Sequence, residues 1–359
     1  MNDTLLSSSQ PSAQISTNVY VHATGKHCES TCQRNILLSL GIDIEENIIF
    51  GLDASFGFAY HTVQGNSADI VLGKQAIFPM NAARLMGIDV EIHQSAGPSV
   101  LIELLKKYTA VITRVDISLL PYWGLAGKAP FGGYFINIID YDEQSDWFEV
   151  SDSSFTDTQW IDSSELCKAR SSTLSPPINP ANWCCVFKSV KRQPNLHTIG
   201  PIAAKNLCRE VLKPNFRNLG IPGIKKLAKS AQNWPNTKRG SVDDVDGDGN
   251  PVKSDALTRQ LVYLGRQIEL FGTGGGLFRL MISDFLTHIA KINNNETILK
   301  AAELFTESGI LWQSVGQELL ALSPLSSSET TDSTLKMLIH ELAKIEAIEK
   351  SALEKLAFI

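Results

Sequence analysis

The period of the hydrophobic pattern changes once along the chain, and that change limits the fold more than any single motif does. In the first half, short apolar runs alternate with turns and helices. HCESTCQRNILLSLG reads as a helix with Cys28 in its first turn and Gly41 at its end. Gln75 to Met86 has helical period, GIDVEIH reads as a strand, and PSVLIELLKKY reads as a helix with Pro98 at the favoured first position. AVITRVDI, YFINIIDYD and DWFEVSD are strand-like, the last two joined by a short polar turn as an antiparallel hairpin. Beyond Pro194, apolar residues recur at three- and four-residue spacing over 199–212, 220–233, 255–271, 275–292, 296–323 and 333–357. The prolines of TLSPPINPANW and KRQPN, with apolar WCCVF between them, mark the boundary. The expected architecture is a disordered Ser- and Gln-rich tail over 1–18, an α+β domain over 19–190 and an all-α helical domain over 195–359.

A chain of 359 residues exceeds what a single core usually serves, which agrees with two domains. Its formal charge of −6 gives no general attraction to nucleic acid or to an anionic membrane. No apolar run is long enough to span a bilayer, and the first residues lack the basic and apolar regions of a secretory signal, so a cytoplasmic protein is expected. The six cysteines (Cys28, Cys32, Cys167, Cys184, Cys185, Cys208) include no CxxC pair and read as reduced thiols.

Cys28 stands apart from the other five. A thiol attacks a carbonyl as its thiolate, and a helix N-terminus favours that anion through its N–H groups and dipole. The preceding GKH adds a glycine, a cation and an imidazole, while Cys32, one turn later, is expected to face the interior. On position alone such a cysteine is more often structural than catalytic. The order of elements changes that balance. A cysteine on an early helix, followed roughly a hundred residues later by a hairpin with polar residues, is the layout of papain-like enzymes, whose hairpin delivers the base and its orienting group. Here the hairpin is GGYFINIIDYDEQSDWFEVSD, and Asp152 ends its second strand.

The stretches GKHCESTCQRNILLSLG, IIFGLDASFGFAY, RVDISLLPYW and PFGGYFINIIDYD resemble the N-terminal domain of the butirosin biosynthesis protein H family. IELFGTGGGLFRLMISDFL and LWQSVGQEL resemble the family's C-terminal domain, so the resemblance covers 19–323. It implies a papain-like acyltransferase domain followed by a helical domain, acting in secondary-metabolite biosynthesis. An acyl group would pass from an acyl- or peptidyl-carrier-protein thioester to Cys28, then to an amine or hydroxyl of a small-molecule acceptor, with no cofactor required. A thioester hydrolase or cyclase is the nearest alternative, and a catalytically impaired module that binds a carrier protein or metabolite is the alternative of another class.

Family members usually read GGHYV where this chain has Gly132-Gly133-Tyr134-Phe135-Ile136, so Tyr134 stands at the expected base position. A phenol, with an ordinary pKa of about 10, is a poor base at neutral pH. His27, His22 and His61 are the candidates to stand in. His22 lies six residues before Cys28, the offset at which papain-like folds place an oxyanion-hole glutamine, so its N–H could instead polarise the acyl carbonyl. A preformed thiolate could also exchange one thioester for another without a base. By the same resemblance, Tyr122, Trp123 and Phe131 lie near the cleft and would wall the acyl pocket, with core packing as the equal alternative.

Asp244, Asp246, Asp248, Asn250 and Asp255 follow the spacing of an EF-hand calcium loop, with aspartate in place of the final glutamate. Pro251 and the lack of a paired loop oppose a structural Ca²⁺, and a solvated acidic insertion is the other reading. GTGGGLFR lacks a preceding strand and a P-loop lysine, so it reads as a turn for close helix packing that enters a helix near Leu277. Arg279 at that helix start is placed to meet a phosphopantetheine phosphate or a substrate carboxylate, or else to pair with Glu269. The stripe Leu335, Leu338, Ile339, Leu342, Ile345 and Ile348 reads as a packed bundle helix, with a homodimer contact as the second reading. His93, His197, His288 and His340 have no metal-ligand spacing.

Overall fold

The computed structural model describes residues 19–53, 56–65, 67–74, 80–175, 178–245 and 251–359. In chain order the first elements are α1 (Cys28–Ser39), α2 (Glu46–Leu52), β1 (Phe56–His61), β2 (Ile70–Lys74), α3 (Asn81–Leu85), β3 (Ile88–His93), α4 (Pro98–Leu105) and β4 (Val111–Val115). They continue through β5 (Tyr134–Asp142), β6 (Trp147–Ser151), β7 (Gln159–Asp162), α5 (Ser163–Ser171) and β8 (Cys184–Val190). The remainder is α6 (Leu196–Leu212), α7 (Gly220–Thr237), β9 (Ser241–Val245), β10 (Pro251–Asp255), α8 (Ala256–Glu269), α9 (Arg279–Asn293), α10 (Glu296–Leu320) and α11 (Ser328–Leu356). Two compact units result. One joins the described residues up to Ile44 with Ala83–Pro194, and the other joins Glu45–Ala82 with Asn195–Ile359.

In the first unit a six-stranded sheet runs in the order β3-β8-β4-β5-β6-β7, each pair antiparallel. Alternation along β5 separates its two faces. Tyr134, Ile136 and Ile138 join a core with Leu101 and Leu104 of α4 and with Leu166 and Ala169 of α5. On the opposite face, Asn137 donates from Nδ2 to the carbonyl of Cys32 at 3.0 Å, which ties β5 to α1. The expected hairpin is present as β5 and β6. WCCVF differs from its expected place in the boundary: it enters β8, between β3 and β4. Cys184, Cys185, Val186 and Phe187 are all buried, so the strand is covered on both faces and has no period-two alternation to reveal it. The helix expected over Gln75 to Met86 is found only as Asn81–Leu85; residues 75–79 lie outside the described set.

The second unit contains the six expected helices but is not all-α. It also holds the β9–β10 hairpin and, from the N-terminal half, α2 and the β1–β2 hairpin. The single block expected over 19–190 is therefore interrupted. A buried charge helps to hold the inserted segment in this unit. Arg279 has no exposed surface; its Nε and Nη2 donate to the Glu349 carboxylate at 2.7 and 3.0 Å, and its Nη1 donates to the carbonyls of Gly57 and Leu277 at 3.1 and 2.8 Å. The rings of Phe56, Phe58 and Trp312 pack around the guanidinium. Residues of β1 thus complete the hydrogen bonding of a side chain on α9.

The same contacts correct the expectation for Arg279 itself. It faces neither a phosphate nor Glu269, whose carboxylate accepts from the Gly276 N–H at 2.9 Å. The glycine-rich segment is the close-packing turn that the sequence suggests. Gly276 has φ of +56°, and a Cβ there would lie 2.6 Å from the Gly309 carbonyl oxygen on α10. The helix starts at Arg279 and not at Leu277, because Leu277 and Phe278 have φ of 50° and 70°. Along α11, Leu335, Leu338, Leu342 and Ile345 are buried, as a bundle helix requires.

A second buried pair closes the loop between β1 and β2. Lys238 Nζ donates to Asp69 at 2.9 Å and to the carbonyls of Val63, Gly65 and Ser67. Burial alone would raise the Asp69 carboxyl, but bonds from Tyr60, the Val63 N–H and Lys238 outweigh it and hold the group below the usual carboxylate range. A carboxyl depressed in the folded state stabilises fully above its unfolded value of about 3.9, and that stability is lost as pH falls through the folded value. Thermal melts below pH 4 should therefore fall steeply, and Asp69→Asn should flatten that acid limb. Parallel acid limbs for the two proteins would contradict the account.

Candidate active site

The start of α1 is built by its cap. His27 is buried, and its Nδ1 accepts from the Ser30 N–H at 3.4 Å and lies 3.0 Å from the Ser30 hydroxyl. A ring nitrogen that accepts in this way is unprotonated, so this one is committed to the helix. Cys28 follows as the first helical residue, half-buried, and packs against the core cluster that contains Tyr134. Cys32 points inward, and burial pushes its thiol up; burial also raises Cys167, Cys184, Cys185 and Cys208. Cys28 alone stands at a helix start.

Beside it, Tyr134 opens β5 and Asp152 follows β6, and the pairing of the two strands brings them together. Tyr134 donates its single hydroxyl proton to Asp152 Oδ1 at 2.6 Å, so the Ser154 hydroxyl, 3.1 Å away, is the donor to the phenol oxygen. Asp152 is fully buried and receives three further bonds: Ser154 N–H on Oδ1, and Trp123 Nε1–H and Tyr122 hydroxyl on Oδ2. Burial first, then the Asp152 charge, then Cys28 hold the Tyr134 phenol far above its usual range. Tyr134 therefore stays protonated and cannot act as a free phenolate base. Trp123 and Phe155 pack edge-on around this group. Ser154 is the contributor that the sequence reading missed. Its signal was available, because an aspartate that accepts from the N–H two residues on forms an Asx turn, and Asp-x-Ser permits one.

His22 is placed differently from either expected role. Its Nε2 lies 3.0 Å from the Phe155 carbonyl, which can only accept, so Nε2 carries a proton and spends it there. Its Nδ1 lies 2.7 Å from the Ser151 hydroxyl, which in turn receives the Tyr20 hydroxyl at 3.0 Å. Neither nitrogen is directed at an acyl carbonyl without breaking a bond. His22 instead ties the Ser151 hydroxyl to the Phe155 backbone carbonyl, on either side of Asp152. His61 is exposed on β1 and belongs to the other unit.

Residues 27–153 match the family described as butirosin biosynthesis protein H, N-terminal, and residues 164–356 match a domain of unknown function, DUF4872. The chain belongs to the butirosin biosynthesis protein H family. The N-terminal match begins one residue before Cys28 and ends one residue after Asp152, so it takes in Cys28, Tyr134 and Asp152. Membership supports a biosynthetic role in natural-product metabolism. No curated protein matches the chain.

Asp246, Asp248 and Asn250 lie outside the described residues. Asp244 and Asp255 sit on β9 and β10, opposite Val252 and Ser241, three register pairs apart or about 10 Å along the ladder. Asp255 also caps α8 by accepting from the Leu257 and Thr258 N–H groups. Among the described residues no group of three His, Cys, Asp or Glu side chains is arranged to hold a metal, and no helix is long and apolar enough to cross a membrane.

Proposed function

We propose that this chain is a cysteine-dependent acyltransferase of natural-product biosynthesis, with a papain-like first unit, that takes an acyl group from a carrier-bound thioester on Cys28 and passes it to an amine or hydroxyl. The observation that carries the reading is Cys28 in the first helical turn beside the Tyr134–Asp152 pair. The Cys28 sulfur forms the new thioester bond while the donor thiol leaves with a proton, and helix-start N–H groups suit the oxyanion.

Tyr134 serves as a relay in this scheme. As the Cys28 or acceptor proton reaches the phenol oxygen, the Tyr134 proton passes along its 2.6 Å bond to Asp152, and no phenolate is formed. Moving a proton from an ordinary thiol to an ordinary carboxylate is uphill by about 6 kcal/mol. A reaction at about one per second has a barrier of about 17 kcal/mol, which can contain that step.

Incubation with an acyl thioester of N-acetylcysteamine should add the acyl mass at Cys28, and Cys28→Ala should abolish the adduct. Tyr134→Phe, which keeps the ring and removes the relay, should slow transfer by about a hundredfold, the usual scale of a lost acid–base group. Wild-type protein that gains no adduct would favour a metabolite- or carrier-binding module.

A further inference from the structure

The charge of the helical unit is concentrated in one segment. Between Lys205 and Arg239 nine Lys and Arg residues accompany a single acid, Glu210, in a chain whose net charge is −6. Lys238 is buried against Asp69, whereas Lys213 and Arg217 on the α6–α7 connection and Lys225, Lys226 and Lys229 on α7 are exposed. The packing of α7 imposes this. Ile221, Ile224, Leu227, Ala231 and Trp234 are buried, which turns the lysines outward, with Lys225 and Lys229 one turn apart on a shared face. Among the described residues, Lys213, Arg217, Lys225 and Lys229 form no ion pair. Phe216, between Lys213 and Arg217, is 67% exposed.

We infer that the α6–α7 edge is a docking face for a small acidic protein domain, which under the acyl-transfer reading is the thioester carrier. The identity of that partner rests on the acyl-transfer reading; the face does not. An exposed aromatic within a rim of cations matches the anchor-and-rim anatomy of a protein interface. A nucleic acid backbone would use the cations and leave Phe216 without a partner. A membrane would need an apolar helix face, and that of α7 is turned into the core. An acidic domain with a small apolar spot uses both features, and the opposed charges steer its approach.

The test compares an acyl-loaded acidic carrier protein with the same acyl group on N-acetylcysteamine, using the full chain at low salt. Reversing Lys213, Lys225 and Lys229 to glutamate should slow acylation from the carrier at least tenfold, remove most of its salt dependence and leave the small thioester unaffected. The unaffected reaction also shows that the variant is folded. Carrier acylation as fast as wild type would overturn the inference. If neither thioester acylates wild-type Cys28, the acyl-transfer reading fails, and docking is decided by titrating carrier against both proteins: equal affinity overturns it, and loss in the variant supports it. Binding of a DNA duplex through these lysines with no binding of carrier also overturns it.

Discussion

Replacing Arg279 with methionine should destabilise the helical unit by about 3–5 kcal/mol, because it leaves the Glu349 carboxylate buried without its cation. Glu349 has no exposed surface and would retain only the Ser308 hydroxyl at 2.8 Å and the Trp312 indole N–H at 2.9 Å. The Gly57 and Leu277 carbonyls would lose a donor at the same time. With a urea slope of about 3 kcal/mol/M, the midpoint of that unit should fall by about 1 M or more. Arg279→Met combined with Glu349→Leu should recover a large part of the loss, since an apolar pair removes the unpaired charge. A single variant within 1 kcal/mol of wild type would show that the guanidinium is not the link between β1 and α9, and would return it to consideration as a ligand group.

The contrast between that arginine and its reading from sequence shows what a linear pattern can and cannot carry. Helical period identified α6 to α11 because each buries one stripe, and β-branched and aromatic runs beside polar turns identified β3 to β6. β8 escaped because Cys184 to Phe187 are buried on both faces and have no alternation. The transfer of Glu45–Ala82 to the helical unit escaped for a different reason. It is fixed by contacts such as Arg279 with Gly57, more than two hundred residues apart, which no local period encodes. Site legibility follows the same rule. Cys28 was readable from a helix start, and Asp152 from the end of a hairpin strand. The commitment of His22 to Ser151 and Phe155 was not readable, because it depends on a contact across the fold between residues 129 and 133 positions apart.

Tyr134→His should convert the site to a thiolate–imidazolium pair and change the pH dependence of Cys28 alkylation. Tyr134 is a neutral donor to Asp152, and a neutral ring cannot hold a thiolate as a cation does. An imidazole in its place would lie between Asp152 and Cys28, where the carboxylate stabilises the protonated ring and the ring stabilises the thiolate. For an ordinary thiol of pKa about 8.5, only about one molecule in three thousand is ionised at pH 5, so ion-pair formation raises the thiolate fraction by more than three decades. Part of that gain is offset, since a thiolate of lower pKa is a weaker nucleophile by a Brønsted slope of about 0.4–0.5. The net expectation is alkylation by iodoacetamide at least tenfold faster than wild type at pH 5. The variant should hold a plateau from pH 5 to 8, where the wild-type rate climbs with thiol ionisation. Tyr134→Phe should show no plateau, and Asp152→Asn added to Tyr134→His should shorten it from its alkaline end, because the imidazolium loses the charge that supports it. If the Tyr134→His profile superimposed on wild type, Cys28 would not be within reach of residue 134, and the arrangement proposed for acyl transfer would fail with it.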